Sequence, residues 1–479
     1  MHSLCFSASF RRAASRFGSG LLVAACLGNT VLAHGQKTAQ VQVQLKNEIA
    51  TVPEAGYGVH TSVYDNHFTS ATLVDRLKAA GVTALRFPGG SYADIYHWKT
   101  HSRTNGSDIY VVPNDTFDNF MTKDLLPLGG QAIITVNYGS NQAGTGGGDP
   151  AEAADWVRHA NKEKGWNIRY WEIGNEIGGN GYFAADNKGW EEDLRAPYDG
   201  HRKGNPVLSQ TAYGRNALEF IRAMKAVDPT IKIGVGVDMP DSNPRDGNLN
   251  LLREVKDKID FVIVHWYPKG SATDLTVTED IKPQVQDLRE QIAKAAGANM
   301  RNVPIAVTET NGGGDGASRA IFATDTFLTW FENGAITVDW LELHAGFLSD
   351  GPDPAVDTPA EAWYGMQMAS RAARPGDKLV ETHSSSPMLA VHAVQRTDGK
   401  IALVLINKHP NQPIVANLSI PEARLGATAE RTDFGMANFS GSKNYAASGP
   451  VSGKLEGVSN SFQVTVPPMS ESVLLIPGR

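Results

Sequence analysis

The chain has 479 residues, more than a single core usually serves, so one large domain with a smaller companion is expected. Apolar residues make up 41% and charged residues 20%, the balance of a globular protein and not of a disordered one. A net charge of −7, with no long basic run beyond the first residues, argues against nucleic acid or an anionic membrane as partner.

Arg11, Arg12 and Arg16 make a basic opening, an apolar run begins at Gly20, and Val31-Leu32-Ala33 offers small residues for cleavage. Residues 1–33 therefore read as a secretory signal and the protein as secreted or periplasmic. Val23-Ala24-Ala25-Cys26 carries a second reading, acylation of Cys26 and membrane anchoring. The apolar stretch continues past Cys26 to a good cleavage site, which favours plain secretion. Beyond it no stretch approaches the ~20 apolar residues a membrane span needs. Cys5 and Cys26 are the only cysteines, so the processed chain would have neither a disulfide nor thiolate chemistry.

Val41-Gln42-Val43-Gln44-Leu45 alternates strictly and predicts a half-buried strand. Over 34–53 this segment is expected to join a β-sandwich further on. From residue 54 the pattern changes to short apolar runs separated by amphipathic helical segments. The runs are 57–59, 84–87, 132–136, 168–173, 231–235, 261–264, 305–308 and 338–341, eight candidate strands in βα alternation. Asp149-Pro150-Ala151-Glu152 and Thr358-Pro359-Ala360-Glu361 both read as helix starts: a capping side chain, a proline at the first position and an acid. Leu218, Ile221, Met224 and Val227 recur at helical spacing, as do Phe327, Trp330 and Phe331. Eight such units predict a (β/α)8 TIM barrel over 54–374. An open doubly wound sheet is disfavoured, since no GxGxxG follows the first strand. Alternating segments at 389–394, 401–406, 414–418, 462–466 and 473–476, with a hairpin turn at Thr397-Asp398-Gly399-Lys400, predict an all-β sandwich over 375–479. The run Gly144-Thr145-Gly146-Gly147-Gly148 lacks the Lys-Ser/Thr of a phosphate cradle and reads as a loop rim.

Such barrels carry their chemistry at the C-terminal ends of the strands. Strand four ends Trp171-Glu172-Ile173-Gly174-Asn175-Glu176 and strand seven ends Val307-Thr308-Glu309-Thr310-Asn311. Two carboxylates on opposed strands are what glycoside hydrolysis needs: one protonated to assist the leaving group, one ionised to attack. A lone glutamate at a strand end is ordinarily a solvated rim residue, but Glu176 and Glu309 hold matching positions and are the candidate catalytic pair. Glu172 should face the barrel interior, where Arg86 can neutralise it. Strand ends also place Asn137, Tyr138, Asn175, His265 and Tyr267 as substrate-binding candidates, and strand eight carries Trp340, Glu342 and His344. No His/Asp/Glu set is spaced as metal ligands, so neither metal nor cofactor is expected.

Leu85-Arg86-Phe87-Pro88-Gly89-Gly90 with Ala93-Asp94-Ile95-Tyr96-His97-Trp98 resembles the second-strand motif of glycoside hydrolase family 51 arabinofuranosidases. Trp171-Glu172-Ile173-Gly174-Asn175-Glu176 resembles the acid/base motif of that family and its clan A relatives. The resemblance implies a retaining glycosidase in which Glu176 is the acid/base and Glu309 the nucleophile. Asn175 would donate to the sugar 2-hydroxyl, Tyr267 would orient Glu309, and Arg86, Trp98 and Trp340 would line the first subsite. The chain departs from the family in two places. No acid precedes Asp65 after strand one, where the family binds the furanose, and Leu341-Glu342-Leu343-His344 does not show its strand-eight glutamine pattern.

The leading expectation is thus a metal-independent enzyme acting on plant or microbial oligo- or polysaccharide, with α-L-arabinofuranoside the first substrate to try. Clan A families 39 and 79, acting on β-xylosides or β-glucuronides, and endo-glycanases are the alternatives. A non-catalytic carbohydrate-binding protein is the rival of a different class, disfavoured because both carboxylates are present. The loop after strand four holds Tyr182, Phe183, Trp190 and Tyr198, which could stack on sugar rings. Oligomeric state is not legible.

Overall fold

Eight runs of four to six residues are buried along most of their length, as strands covered on both faces must be. In the computed structural model they pair in parallel and close into a barrel. Barrel strands one to eight are Tyr57–His60, Ala84–Phe87, Gln131–Val136, Tyr170–Ile173, Lys232–Gly236, Phe261–Trp266, Ile305–Thr310 and Ala335–Trp340. The structure describes residues 37–107, 110–177, 206–240, 246–269, 274–421, 423–439, 445–446 and 448–478. The leader expected over 1–33 and the four loop aromatics Tyr182, Phe183, Trp190 and Tyr198 lie outside these.

Helices follow the strands and pack outside them, among them Pro150–Val157, Pro206–Val227, Ile281–Ala296, Ala317–Glu332 and Glu361–Ala372. Asp149 caps the first by accepting the Ala151 amide at 2.8 Å, with Pro150 at the first helical position. The second expected cap is not where the sequence put it. That helix begins at Glu361, and Pro359 instead makes a β-bridge with Leu348. Thr358 turns its hydroxyl to the Ala355 carbonyl, so a local turn wins over the cap.

The barrel's two ends differ in polarity. At the strand starts Phe261 packs with Ile263 and Ala306, and its ring fills the space over Gly234 so closely that a Cβ there would meet it at 2.2 Å. At the strand ends the interior turns polar, with Arg86, Glu172, Thr135, Asp339 and Glu309 all buried. A charged interior is tolerable only where each charge is paired, which sets the geometry described below.

The β-domain is one nine-stranded sheet. Strand Lys37–Thr51 pairs antiparallel with Lys378–Ser384 and parallel with Ile414–Ser419. Strands Lys378–Ser384, Thr428–Gly435 and Val451–Glu456 add to the five read from alternation. The sheet curls until Ser461–Val466, at one edge, meets Lys400–Asn407 and Ser470–Pro477. Val41, Val43, Leu403, Val464 and Leu474 fill the enclosed core. Against the barrel the contact is partly ionic: Lys408 lies 2.7 Å from Asp325, and His392 bridges Asp325 at 2.9 Å and Glu332 at 2.8 Å.

Candidate active site

Arg86, near the end of strand two, organises the interior. Its Nε donates to Glu172 at 2.8 Å, Nη1 to Glu309 at 2.8 Å, and Nη2 to the Asn175 side-chain oxygen at 2.8 Å. The guanidinium is 1% exposed, so these partners replace its lost hydration, and the two carboxylates hold it charged. Glu172 faces inward as alternation requires and also accepts the Thr135 hydroxyl at 2.7 Å. It carries the counter-charge, while Arg86 fixes Asn175 and Glu309.

Glu309 accepts from Arg86 on Oε1 and from the Tyr267 hydroxyl on Oε2 at 2.7 Å. Burial pushes its carboxyl up, but His265, Arg86 and the Tyr267 bond outweigh that and hold it at about 2. Glu309 is therefore an anion at any working pH. His265, from strand six, lies 3.4 Å from Glu309 Oε2 and 2.7 Å from Glu176 Oε1. Burial disfavours its charged form, yet the Glu309 charge and the Glu176 hydrogen bond raise its pKa overall. The Glu176, His265 and Glu309 functional atoms all lie within 4.8 Å of one another. Glu176 differs from Glu309 in exposure, its side chain being 36% accessible against 8%. It also stands at φ +43°, a left-handed conformation that L side chains rarely adopt. Strained backbone of this kind concentrates where a side chain must be aimed.

Of the ten candidate residues, the structure brings Glu176, Glu309, Arg86, Asn175, His265 and Tyr267 together, and it places the other four elsewhere. Trp98 stacks on Trp156 at 5.6 Å and donates its indole N–H to the Glu152 carbonyl, on the helix layer. Trp340 is 1% exposed against Phe322 and Phe327, because on strand eight Asp339 takes the inward position and its neighbour must point out. Asn137 spends its amide on the Tyr96 carbonyl and the Ser140 N–H. Tyr138 is buried on Tyr213 and Phe220, with its hydroxyl accepting from Asn216.

Three residues that the sequence did not mark contribute. His60, ending strand one, sits 3.1 Å from Arg86 Nη1 and accepts the Gly90 amide through Nε2. Burial, then Arg86, lower its pKa to about 3, so it is neutral. Asp94 accepts the backbone amides of Tyr138, Gly139 and Asn175 at 2.8–3.1 Å, tying three strand ends together. Asp339, inside the barrel, is raised to about 7 by burial and by Glu172. Motif position, not residue type, would have singled out Asp94, which lies between Gly90 and Trp98.

Glu176, His265 and Glu309, distant in sequence and carried by three different strand ends, nevertheless cluster in three dimensions as metal ligands can. Their chemistry does not suit a cation, however. Glu309 is already engaged by a guanidinium on one oxygen and a phenol on the other.

No protein-family model matches the chain. The chain is similar in sequence to a probable α-L-arabinofuranosidase C of Aspergillus clavatus, 24% identical over 185 residues. That match covers 34% of this chain and 31% of the relative. An intracellular exo-α-(1→5)-L-arabinofuranosidase of Acetivibrio thermocellus is 23% identical over 297 residues, 53% of each chain. The chain thus spans from about a third to about half the length of these curated relatives. In structure it resembles the thermostable family 51 α-L-arabinofuranosidase of Thermotoga petrophila RKU-1, with a TM-score of 0.71 at 18% identity over 91% of this chain and 100% of that one. The barrel with its C-terminal β-domain is the fold they share.

Proposed function

We propose that the protein is a retaining glycoside hydrolase, with Glu309 the nucleophile and Glu176 the acid/base, acting first on α-L-arabinofuranosides. One observation carries the reading: Glu176 and Glu309 bring carboxylate oxygens within 4.8 Å of one another across the barrel mouth. Separations of about 5–5.5 Å leave no room for a water between carboxylate and sugar and suit direct attack. Glu309, ionised and held from both sides, attacks the anomeric carbon. Glu176 passes its proton to the departing oxygen, and the sugar is left as an ester on Glu309. Glu176 then takes a proton from water, which displaces Glu309 with overall retention. Arg86 and Tyr267 hold the nucleophile's two oxygens apart and in place, and Asn175, its oxygen fixed by Arg86, presents its NH2 end to the sugar 2-hydroxyl.

The named activities of the sequence relatives support arabinofuranose. A second reading, a β-xylosidase or endo-glycanase of the same clan, is favoured by the strand-one loop, which offers Ser62 and Tyr64 and no acid before Asp65. Export is proposed with either, from the basic and apolar run over residues 1–33 and its cleavage residues at Val31–Ala33. The mass of the N-terminal peptide of cell-free protein tests it, although the A. thermocellus relative is named as intracellular.

The function is tested with aryl glycosides covering α-arabinofuranoside, β-xyloside, β-glucoside, β-glucuronide and β-galactofuranoside. The product anomer is read by NMR within the first turnovers. Turnover of at least one with retained configuration is expected. An inverted product would overturn the double displacement, and inertness toward all of them and toward soluble polysaccharides would overturn the enzyme.

A further inference from the structure

Glu342 follows strand eight, and the mechanism above leaves it idle. The Leu341 amide donates to the Thr310 carbonyl, next to Glu309, and the Leu343 amide donates to the His60 carbonyl. Glu342 is thereby held between the strand that carries the nucleophile and the strand that carries His60. Its Oε2 accepts two hydroxyls from the strand-one loop, Tyr64 at 2.8 Å and Ser62 at 3.1 Å. Both donors fall on one oxygen, and Oε1 has no protein partner among the described residues and is not sealed from solvent. A carboxylate braced on one oxygen and open on the other has that second oxygen left to take a donor from whatever occupies the site. Burial raises its pKa, and the Asp65 and Glu309 charges add to that.

We infer that Glu342 is a substrate-recognising carboxylate: its Oε1 accepts a hydroxyl of the sugar bound at Glu309 and makes that subsite select neutral sugars over uronic acids. The inference rests on the glycosidase reading. A sugar hydroxyl supplies the donor that Oε1 lacks. A uronate would instead bring a further negative charge beside Glu309 and Glu342. The two basic side chains that touch Glu309 are already committed, Arg86 to Glu172 and Asn175, and His265 to Glu176. Ser62 and Tyr64 act as positioning residues, since their hydroxyls fix which oxygen of Glu342 faces the sugar.

The test compares wild type, Glu342→Gln and Glu342→Ala on whichever aryl glycoside the enzyme turns over, on its single-deoxy analogues and on the matching uronide. Wild type is expected to turn over the uronide far more slowly than the neutral glycoside. Glu342→Ala should lose about 10- to 150-fold in kcat/KM, the worth of a hydrogen bond to a charged group. It should lose nothing further on the one deoxy analogue that lacks the hydroxyl Glu342 reads. Glu342→Gln should narrow the neutral-to-uronide ratio by about tenfold or more. Tyr64→Phe, which keeps the carboxylate and removes one brace, should penalise the same hydroxyl more weakly, and it serves if a Glu342 variant fails to fold. Equal losses on every deoxy analogue, or an unchanged uronide ratio, would overturn the role of Glu342 while leaving the glycosidase standing. Inertness of wild type toward all glycosides would bring down both.

Discussion

Tyr267→Phe deletes one hydroxyl and isolates what holds the proposed nucleophile, Glu309. That hydroxyl donates to Glu309 Oε2 at 2.7 Å, and Glu309 is 6% exposed, so water cannot fully replace it. A hydrogen bond to a charged acceptor is worth about 1.5–3 kcal/mol, and one pKa unit is about 1.4 kcal/mol. Removing it should raise the Glu309 carboxyl by about one to two units from its value of about 2. Since the attacking form is ionised, the acid limb of the kcat/KM profile should move upward by that amount. Near pH 6, where Glu309 stays ionised in both proteins, turnover should still fall roughly 10- to 100-fold, because an unanchored carboxylate samples geometries that do not attack. The assay is a pH–rate profile on an aryl glycoside, with thermal unfolding run beside it. An acid limb and a turnover both equal to wild type, in a normally folded variant, would refute the reasoning.

Other perturbations test the supporting structure. Arg86→Met strands Glu172, which is 0% exposed, and should cost about 3–5 kcal/mol of stability in urea unfolding. Adding Glu172→Leu should recover much of that loss while activity stays absent. His392 is raised to about 10, since Glu332 and Asp325 outweigh burial. Its contribution is complete below the unfolded value of about 6.5 and is lost as pH rises through about 10, so stability should fall over that window and His392→Gln should flatten the fall. Exhaustive EDTA treatment should leave turnover unchanged, and a loss restored by a divalent cation would reopen the Glu176–His265–Glu309 cluster as a metal site.

What could be read from the sequence followed one-dimensional periodicity. Eight apolar runs in βα alternation gave a barrel, and Asn175-Glu176 with Thr308-Glu309 marked its candidate site. Parity along a strand then separates the residues that were placed well from those that were not. Glu172 and Arg86 obey it and face each other. The family resemblance puts Trp340 in the first subsite, but its place beside the inward Asp339 sends it outward. Asn137 and Tyr138 fall in a turn where Asp94 collects backbone amides, and a contact spanning more than 40 residues leaves no trace in local pattern. His60 is hidden for the same reason, since its partners Arg86 and Gly90 come from strand two and its end; Glu342 is visible at the end of strand eight, but the Tyr64 and Ser62 hydroxyls that hold it are not.

The central claim is the division of labour between Glu309 and Glu176, and one measurement bears on it most directly. With a dinitrophenyl glycoside the leaving group needs no proton, so Glu176→Ala should still form the glycosyl ester. It should then accumulate the ester, because no base activates water. Peptide mass spectrometry of the stalled protein should find the sugar on Glu309, and added azide should release it as a glycosyl azide of retained configuration. Sugar attached to any other residue, or an azide product of inverted configuration with no ester formed, would contradict the account.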